Sequence, residues 1–289
     1  MKKQCDPWLF RRMVRFGLLA PTMPIYVCSE QVSDQIAILN RDAPQERLAE
    51  IAVFPHDEFA IEMTCRTDDP ENWDQRFRTL TIISPTPAGA TDVPYFIWEV
   101  QAYNGNNVIL PPHYCGGPGL AIQYQDREAF RACVRRYWGK LRELGERNDP
   151  KGTMKVKGWP EDAFTMEQFN KSMAQATAFL TTACAVIASP AVSRSSGTSP
   201  ARAPGPRRGE ERRVETRWTQ VDLVIDRDIT NVATAAMDGS GRTGVALHPV
   251  RSHLRVTRHG ISKVRAHMRG DAKYGTRHRV GHVHTKQET

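Results

Sequence analysis

The stretch Pro94-Tyr95-Phe96-Ile97-Trp98-Glu99-Val100-Gln101-Ala102-Tyr103-Asn104 alternates two sets of side chains. Phe96, Trp98, Val100 and Ala102 fall on one side of an extended chain and Tyr95, Ile97, Glu99 and Gln101 on the other. That period of two predicts a strand with one well-buried face. Two earlier segments, Glu58 to Arg66 and Arg78 to Ser84, have the same β-branched and aromatic character. Turn residues bound them: Asp68-Asp69-Pro70, Pro85 to Gly89 and Asn104-Gly105-Asn106-Asn107. Three strands joined this way predict an antiparallel meander.

Two helices are expected to cover that sheet. From Asp126 the apolar residues Phe130, Val134, Tyr137, Trp138, Leu141 and Leu144 collect on one helical stripe, and Gly145 stands where a helix stops. The second begins at Thr165, whose hydroxyl can cap the first turn while Gln168 reaches back, and it ends before Pro190. Its Met173 to Val192 portion is Ala- and Thr-rich with few large apolar residues, so it reads as a core helix and not as a membrane span. The apolar run from Phe16 to Cys28 is broken by Pro21 and Pro24 and preceded by Asp6, Arg11, Arg12 and Arg15, which argues against a secretory leader.

From Ser189 to Arg208 the composition changes to Ser, Pro, Gly, Ala and Arg. Such a stretch buries too little to offset ordering its backbone, and it predicts a flexible linker over 190–212. The expected organisation is α+β: a domain at 1–189 with an antiparallel sheet and two packed helices, the linker, and a basic β-hairpin region at 213–289. That last region either stands apart or returns to the N-terminal sheet, and Arg213 to Ile225 looks like one of its strands.

With 289 residues, 40% hydrophobic and 25% charged, the chain is long enough for a real core, and a wholly disordered or collagen-like protein is excluded. Six cysteines without a C-x-x-C pair suit a reducing cytoplasm better than a disulfide scaffold. The formal charge of +8 is unevenly spread. Residues 1–190 hold 21 basic and 23 acidic side chains, while 191–289 hold 19 and 9. From Arg242 onward, 11 basic residues face only Asp271 and Glu288.

Seven of nine histidines lie between His248 and His284, and within that stretch a unit recurs. Val250-Arg251-Ser252-His253-Leu254-Arg255 is followed by Val264-Arg265-Ala266-His267-Met268-Arg269, with Arg258-His259-Gly260 between them. Glycine suits the end of a three-residue hairpin loop. Folding the chain there opposes Val250 to Met268, Ser252 to Ala266 and Leu254 to Val264 on one face. The other face then opposes Arg251 to His267, His253 to Arg265 and Arg255 to Lys263. With Arg269, these seven cationic residues form a candidate anion-binding strip. Its counterpart is a nucleic-acid backbone, a phosphorylated small substrate, or the acidic residues Glu58, Glu62, Asp68 and Asp69; a solvated basic face with no partner is the plain alternative.

Two sharper chemistries compete with binding. His253 and His267, flanked by arginines, are candidate catalytic groups for phosphoester hydrolysis, where imidazole moves protons and guanidinium steadies an oxyanion. His278, His282 and His284 have metal-ligand spacing but lack a cysteine or close carboxylate beside them, so no metal and no cofactor is expected. Cys115-Gly116-Gly117-Pro118-Gly119 lacks the lysine of a phosphate loop and reads as a turn. His113 beside Cys115 has no third orienting residue. Trp98, Trp138 and Trp218 read as core.

The segment Ala246-Leu247-His248-Pro249-Val250-Arg251-Ser252-His253-Leu254-Arg255, with Val264-Arg265-Ala266-His267-Met268-Arg269-Gly270-Asp271 after it, resembles the C-terminal signature "ALHxVRGH … HxRGD/G" of a group of uncharacterised phage and prophage proteins. The similarity is specific over about 40 residues. It implies a phage or mobile-element setting, with the host cytoplasm as compartment, and no particular reaction. A non-enzymatic protein whose basic hairpin contacts nucleic acid is the leading expectation, with a His/Arg phosphoesterase or nuclease and a virion or assembly protein as alternatives.

Overall fold

A computed structural model describes residues 6–66, 76–86, 93–103, 106–122, 165–207, 210–223, 246–250, 253–265 and 267–276, together with single positions 128, 132 and 143. In chain order the elements are α1 (Trp8–Arg15), β1 (Ile25–Cys28), α2 (Glu30–Asp42), α3 (Gln45–Ile51), β2 (Phe59–Arg66), β3 (Arg76–Pro85), β4 (Tyr95–Tyr103), β5 (Asn106–Gly117) and β6 (Leu120–Ala121). They continue with α4 (Met166–Ala188), β7 (Val192–Pro204), β8 (Glu211–Leu223), β9 (Ala246–Val250), β10 (His253–Thr257), β11 (Gly260–Val264), β12 (His267–Arg269) and β13 (Asp271–Thr276).

Eight strands form one sheet in the order β6-β5-β4-β3-β2-β1-β8-β7. The meander from β2 to β4 is antiparallel, as the three segments predict, and β5 and β6, which no such segment announces, extend it in the same sense. The sheet as a whole is mixed, which corrects the purely antiparallel expectation: β1 runs parallel to both β2 and β8. Four residues behind Pro24 are too short a stretch to show a period, yet Ile25, Val27 and Cys28 are buried between two neighbours.

Both faces of the sheet are covered. On one, Ala60, Leu80, Ile82, Phe96, Trp98, Val100 and Trp218 pack against Leu9, Phe10, Met13 and Val14 of α1. On the other, Phe59, Ile61, Met63, Ile97 and Val221 meet α2, α3 and α4. Among the described residues there are four helices, not two. α2 follows a pattern that was available: Ser29 accepts from Val32 N as its cap, and Val32, Ile36 and Leu39 make the buried stripe. α4 has the predicted capping box, with Thr165 N donating to Gln168 Oε1 at 3.0 Å and Gln168 N to Thr165 Oγ1 at 3.2 Å. Its C-terminal carbonyls accept from Arg194, a cation where the helix dipole favours one. No described helix is long and apolar enough to cross a membrane. The predicted helix from Asp126, with Trp138, lies outside the described residues apart from single positions.

The flexible-linker expectation for 190–212 also needs correction. Val192–Pro204 is a thirteen-residue edge strand paired along its length with β8. Its small residues serve packing: a Cβ on Gly197 would lie 2.4 Å from the Trp218 ring, and Ala201 and Ala203 are buried on the α1 side. Pro200 and Pro204 are tolerated because an edge strand has one side that needs no ladder donor. The expected boundary at 213 therefore falls inside a hairpin of the main sheet.

α1 has no side-chain cap of its own, since Pro7 occupies the cap position. A carboxylate from the sheet supplies it. Glu62 Oε1 accepts from Leu9 N at 3.1 Å and from Arg78 Nη1 at 3.0 Å, and Oε2 accepts from Phe10 N at 3.0 Å. Burial pushes the Glu62 carboxyl above the ordinary range, against the pull of those three donors.

Candidate functional site

β10 and β11 form the two-stranded ribbon that the repeated unit predicts, one residue out of the expected register. His253 faces Val264, Leu254 faces Lys263, Arg255 faces Ser262, Val256 faces Ile261 and Thr257 faces Gly260. β12 and β9 keep the same offset, with His267 opposite Val250 and Arg269 opposite His248. The expected pairs His253–Arg265, Arg255–Lys263 and Arg251–His267 are thus corrected. The loop has two residues, Arg258 and His259, and Gly260 takes a φ of 108°. A slip of one residue exchanges faces on one strand.

Apolar packing explains the slip. In the observed register Leu254, Val256 and Ile261 share one face, and Leu254 and Ile261 are buried in the core that lies under α2, α3 and α4. In the expected register Ile261 would lie on the opposite face from Leu254 and lose that burial, at a cost of about 2 kcal/mol. The ribbon consequently docks on the helical layer and does not join the main sheet. Both its edges are held. Leu254 N donates to Gln35 Oε1 of α2 at 2.9 Å, and Ser189 Oγ at the end of α4 donates to Ile261 O at 3.1 Å. Backbone groups that point out of an antiparallel ladder are thereby satisfied on either side.

The cations are distributed by this docking. His253 and Arg255 lie on the outward face with Thr257 and Ser262; Arg255 and Ser262 are exposed and His253 is half-buried. Lys263 shares the docked face with Leu254 and is half-buried. Arg265, His267 and Arg269 are exposed beyond the ribbon, and His267 Nδ1 lies 2.9 Å from the Arg265 carbonyl. Arg251 lies outside the described residues. The exposed tip adds Arg258, which donates to His259 Nε2 at 2.9 Å and which the repeat alone does not nominate. Among the described residues no ion pair ties Arg255, Arg258 or Arg269 to a carboxylate, while His253, Lys263 and Arg265 each have an interaction within the chain.

The acidic residues weighed as internal counterparts do not meet this strip where they are described. Glu62 is buried on the opposite side of the sheet at the start of α1, and Glu58 accepts from Ser84 Oγ at 2.9 Å. Asp68 and Asp69 lie outside the described residues, as do His278, His282 and His284. His253 and His267 are not cross-strand partners: His253 faces Val264 in the β10–β11 ribbon, and His267 faces Val250 in the sheet of β12 and β9.

His113 and Cys115 do share one face of β5, with Thr177 of α4 over them, its Oγ1 3.5 Å from His113 Nε2. Both are buried. Desolvation holds His113 down at about 4 and raises the Cys115 thiol, so the pair is a neutral imidazole and a protonated thiol, the opposite of an activated nucleophile. Cys28, Cys65, Cys115 and Cys184 are free thiols. No group of three metal-ligating side chains occurs among the described residues. Trp98 and Trp218 are buried, in accord with their reading as core.

No protein-family model, curated protein or solved structure matches this chain.

Proposed function

We propose that this is a non-enzymatic nucleic-acid-binding protein of phage or prophage type, whose docked ribbon carries the arginines that contact phosphate. The observation that carries the reading is the exposure of Arg255 and Arg258 on a ribbon fixed to the helical layer and of Arg269 on β12 beyond it, with no carboxylate between His253 and Gly270 in sequence. Guanidinium groups held without acidic partners suit phosphate, whose neutralisation releases counterions and gives affinity of any sequence. The C-terminal similarity to phage proteins supports the setting. A phosphoesterase using His253 and His267 has less support, because the two imidazoles are not cross-strand partners and belong to separate sheets.

The test is fluorescence anisotropy with a labelled DNA duplex across 50–200 mM salt, a range over which phosphate contacts weaken. Binding is expected to weaken steeply with salt. Arg255→Ala, Arg258→Ala and Arg269→Ala together are expected to flatten the slope by about two to three, roughly one per lost phosphate contact. Absence of binding at 50 mM salt overturns the proposal.

A further inference from the structure

We infer that the outward face of the β10–β11 ribbon is a reading face for the major groove of duplex DNA, an inference that rests on the nucleic-acid reading above and names its partner. Three observations select that partner. First, the ribbon is held from behind and on both edges, by Leu254 and Ile261 in the core, by Gln35 on β10 and by Ser189 on β11. What remains to meet a ligand is one face of a rigid two-stranded element.

Second, the size fits. Two strands about 4.8 Å apart with their side chains enter a major groove about 12 Å wide, as β-ribbon readers do. The A-form major groove is deep and too narrow for side chains to read, so the same ribbon is excluded from duplex RNA. Third, the composition of the face suits base edges. Arg255 lies directly opposite Ser262, both exposed, while the Thr257 hydroxyl on the same side is held by the turn, donating to Gly260 O at 2.9 Å and accepting from His259 N at 3.2 Å. Arginine pairs bidentately with guanine O6 and N7, and hydroxyls accept either edge. The face has no Phe, Tyr or Trp on which unpaired bases would stack, and its one aromatic ring, His253, is half-buried. Arg258, at the exposed tip, and Arg269, exposed on β12 beyond the other end of the ribbon, flank that face with guanidinium groups suited to phosphate.

The experiment compares the full chain binding to a 20-base-pair DNA duplex, the RNA duplex of the same sequence, and the single DNA strand, by anisotropy at one salt concentration. DNA duplex is expected to bind at least about tenfold tighter than either competitor. Arg255→Ala is expected to remove most of that preference, while Arg269→Ala weakens all three ligands alike. Replacing guanine by 7-deazaguanine, which removes the N7 acceptor and so one arm of the bidentate pair, should weaken wild type and leave Arg255→Ala unchanged. Equal binding to the two duplexes, or preference for the single strand, overturns the groove inference and leaves phosphate contact standing. No binding to any of the three overturns both. Far-ultraviolet circular dichroism checks that the exposed substitutions keep the fold.

Discussion

Substituting His113 should change how the protein responds to acid. Its imidazole sits between the sheet and α4, is neutral in the fold and is held down at about 4 by desolvation, against 6.5 for the unfolded chain. Between those values the unfolded state binds more protons. The stability that goes with the neutral ring is therefore fully present above about pH 6.5 and is lost as pH falls toward 4. Over the whole interval, at about 1.36 kcal/mol per pH unit, the loss is roughly 3 kcal/mol, and about 2.5 kcal/mol of it has occurred by pH 4.5. Glu99 acts in the other sense. Burial raises its carboxyl, as it raises that of Glu62, so protonation of either favours the fold as pH falls, and a wild-type curve alone mixes these effects with that of His113. Urea unfolding of wild type and His113→Gln at pH 7 and 4.5 separates them. Glutamine keeps a polar atom near Thr177 Oγ1 and does not titrate. The variant should lose about 2.5 kcal/mol less than wild type between the two pH values. Equal losses would show that His113 is not buried as a neutral base and refute the placement of α4 over it.

Glu62→Ala should cost roughly 3 kcal/mol by urea denaturation, since it leaves Arg78 and two helix N–H donors without their acceptor, and Glu62→Gln, which retains one acceptor, should cost less. A cost under about 0.5 kcal/mol for the alanine variant would mean that α1 is capped by other means. Ribbon register is open to a covalent test. Arg255→Cys with Ser262→Cys should oxidise to a disulfide, located by peptide mass mapping, whereas Arg255→Cys with Lys263→Cys should not, because those two side chains leave opposite faces. The reverse outcome would restore the register that the repeat predicts. Gly197→Val should destabilise by roughly 2 kcal/mol and alter Trp218 fluorescence, because any Cβ there meets the indole; an unchanged melting temperature would contradict that contact.

The elements legible in sequence are those whose burial shows as a period. β2, β3 and β4 appear close to where alternation places them, and the capping box of α4 is read from Thr165 and Gln168 alone. β7 fails the same test because its stability is borrowed. Ser, Gly and Ala carry almost no apolar signal, yet they are what fits beneath Trp218 and beside α1. Edge position then removes the penalty on Pro200 and Pro204. β1 fails for a different reason: its hydrogen bonds come from β2 and β8, roughly 35 and 190 residues away in sequence, and nothing local announces either partner.

The ribbon shows why a correct motif can still misplace its side chains. The repeat identifies two strands and the turn between them, and it supplies an attractive register in which each Arg and His meets another cation. That register opposes like charges across the ladder, a cost of a few tenths to about 1 kcal/mol per pair. It also turns Ile261 away from Leu254. The observed slip relieves both at once: Arg255 now faces Ser262, His253 faces Val264, and Leu254, Val256 and Ile261 close on the core. Charge pattern alone contains no term for the helical layer beneath, and it is the burial of one isoleucine against that layer that decides which cations look outward. The reading face is thus a consequence of packing. Ile261→Lys, by removing the apolar anchor, should release the ribbon and weaken DNA binding even though it adds positive charge; tighter binding by that variant would show that charge and not presentation governs the contact.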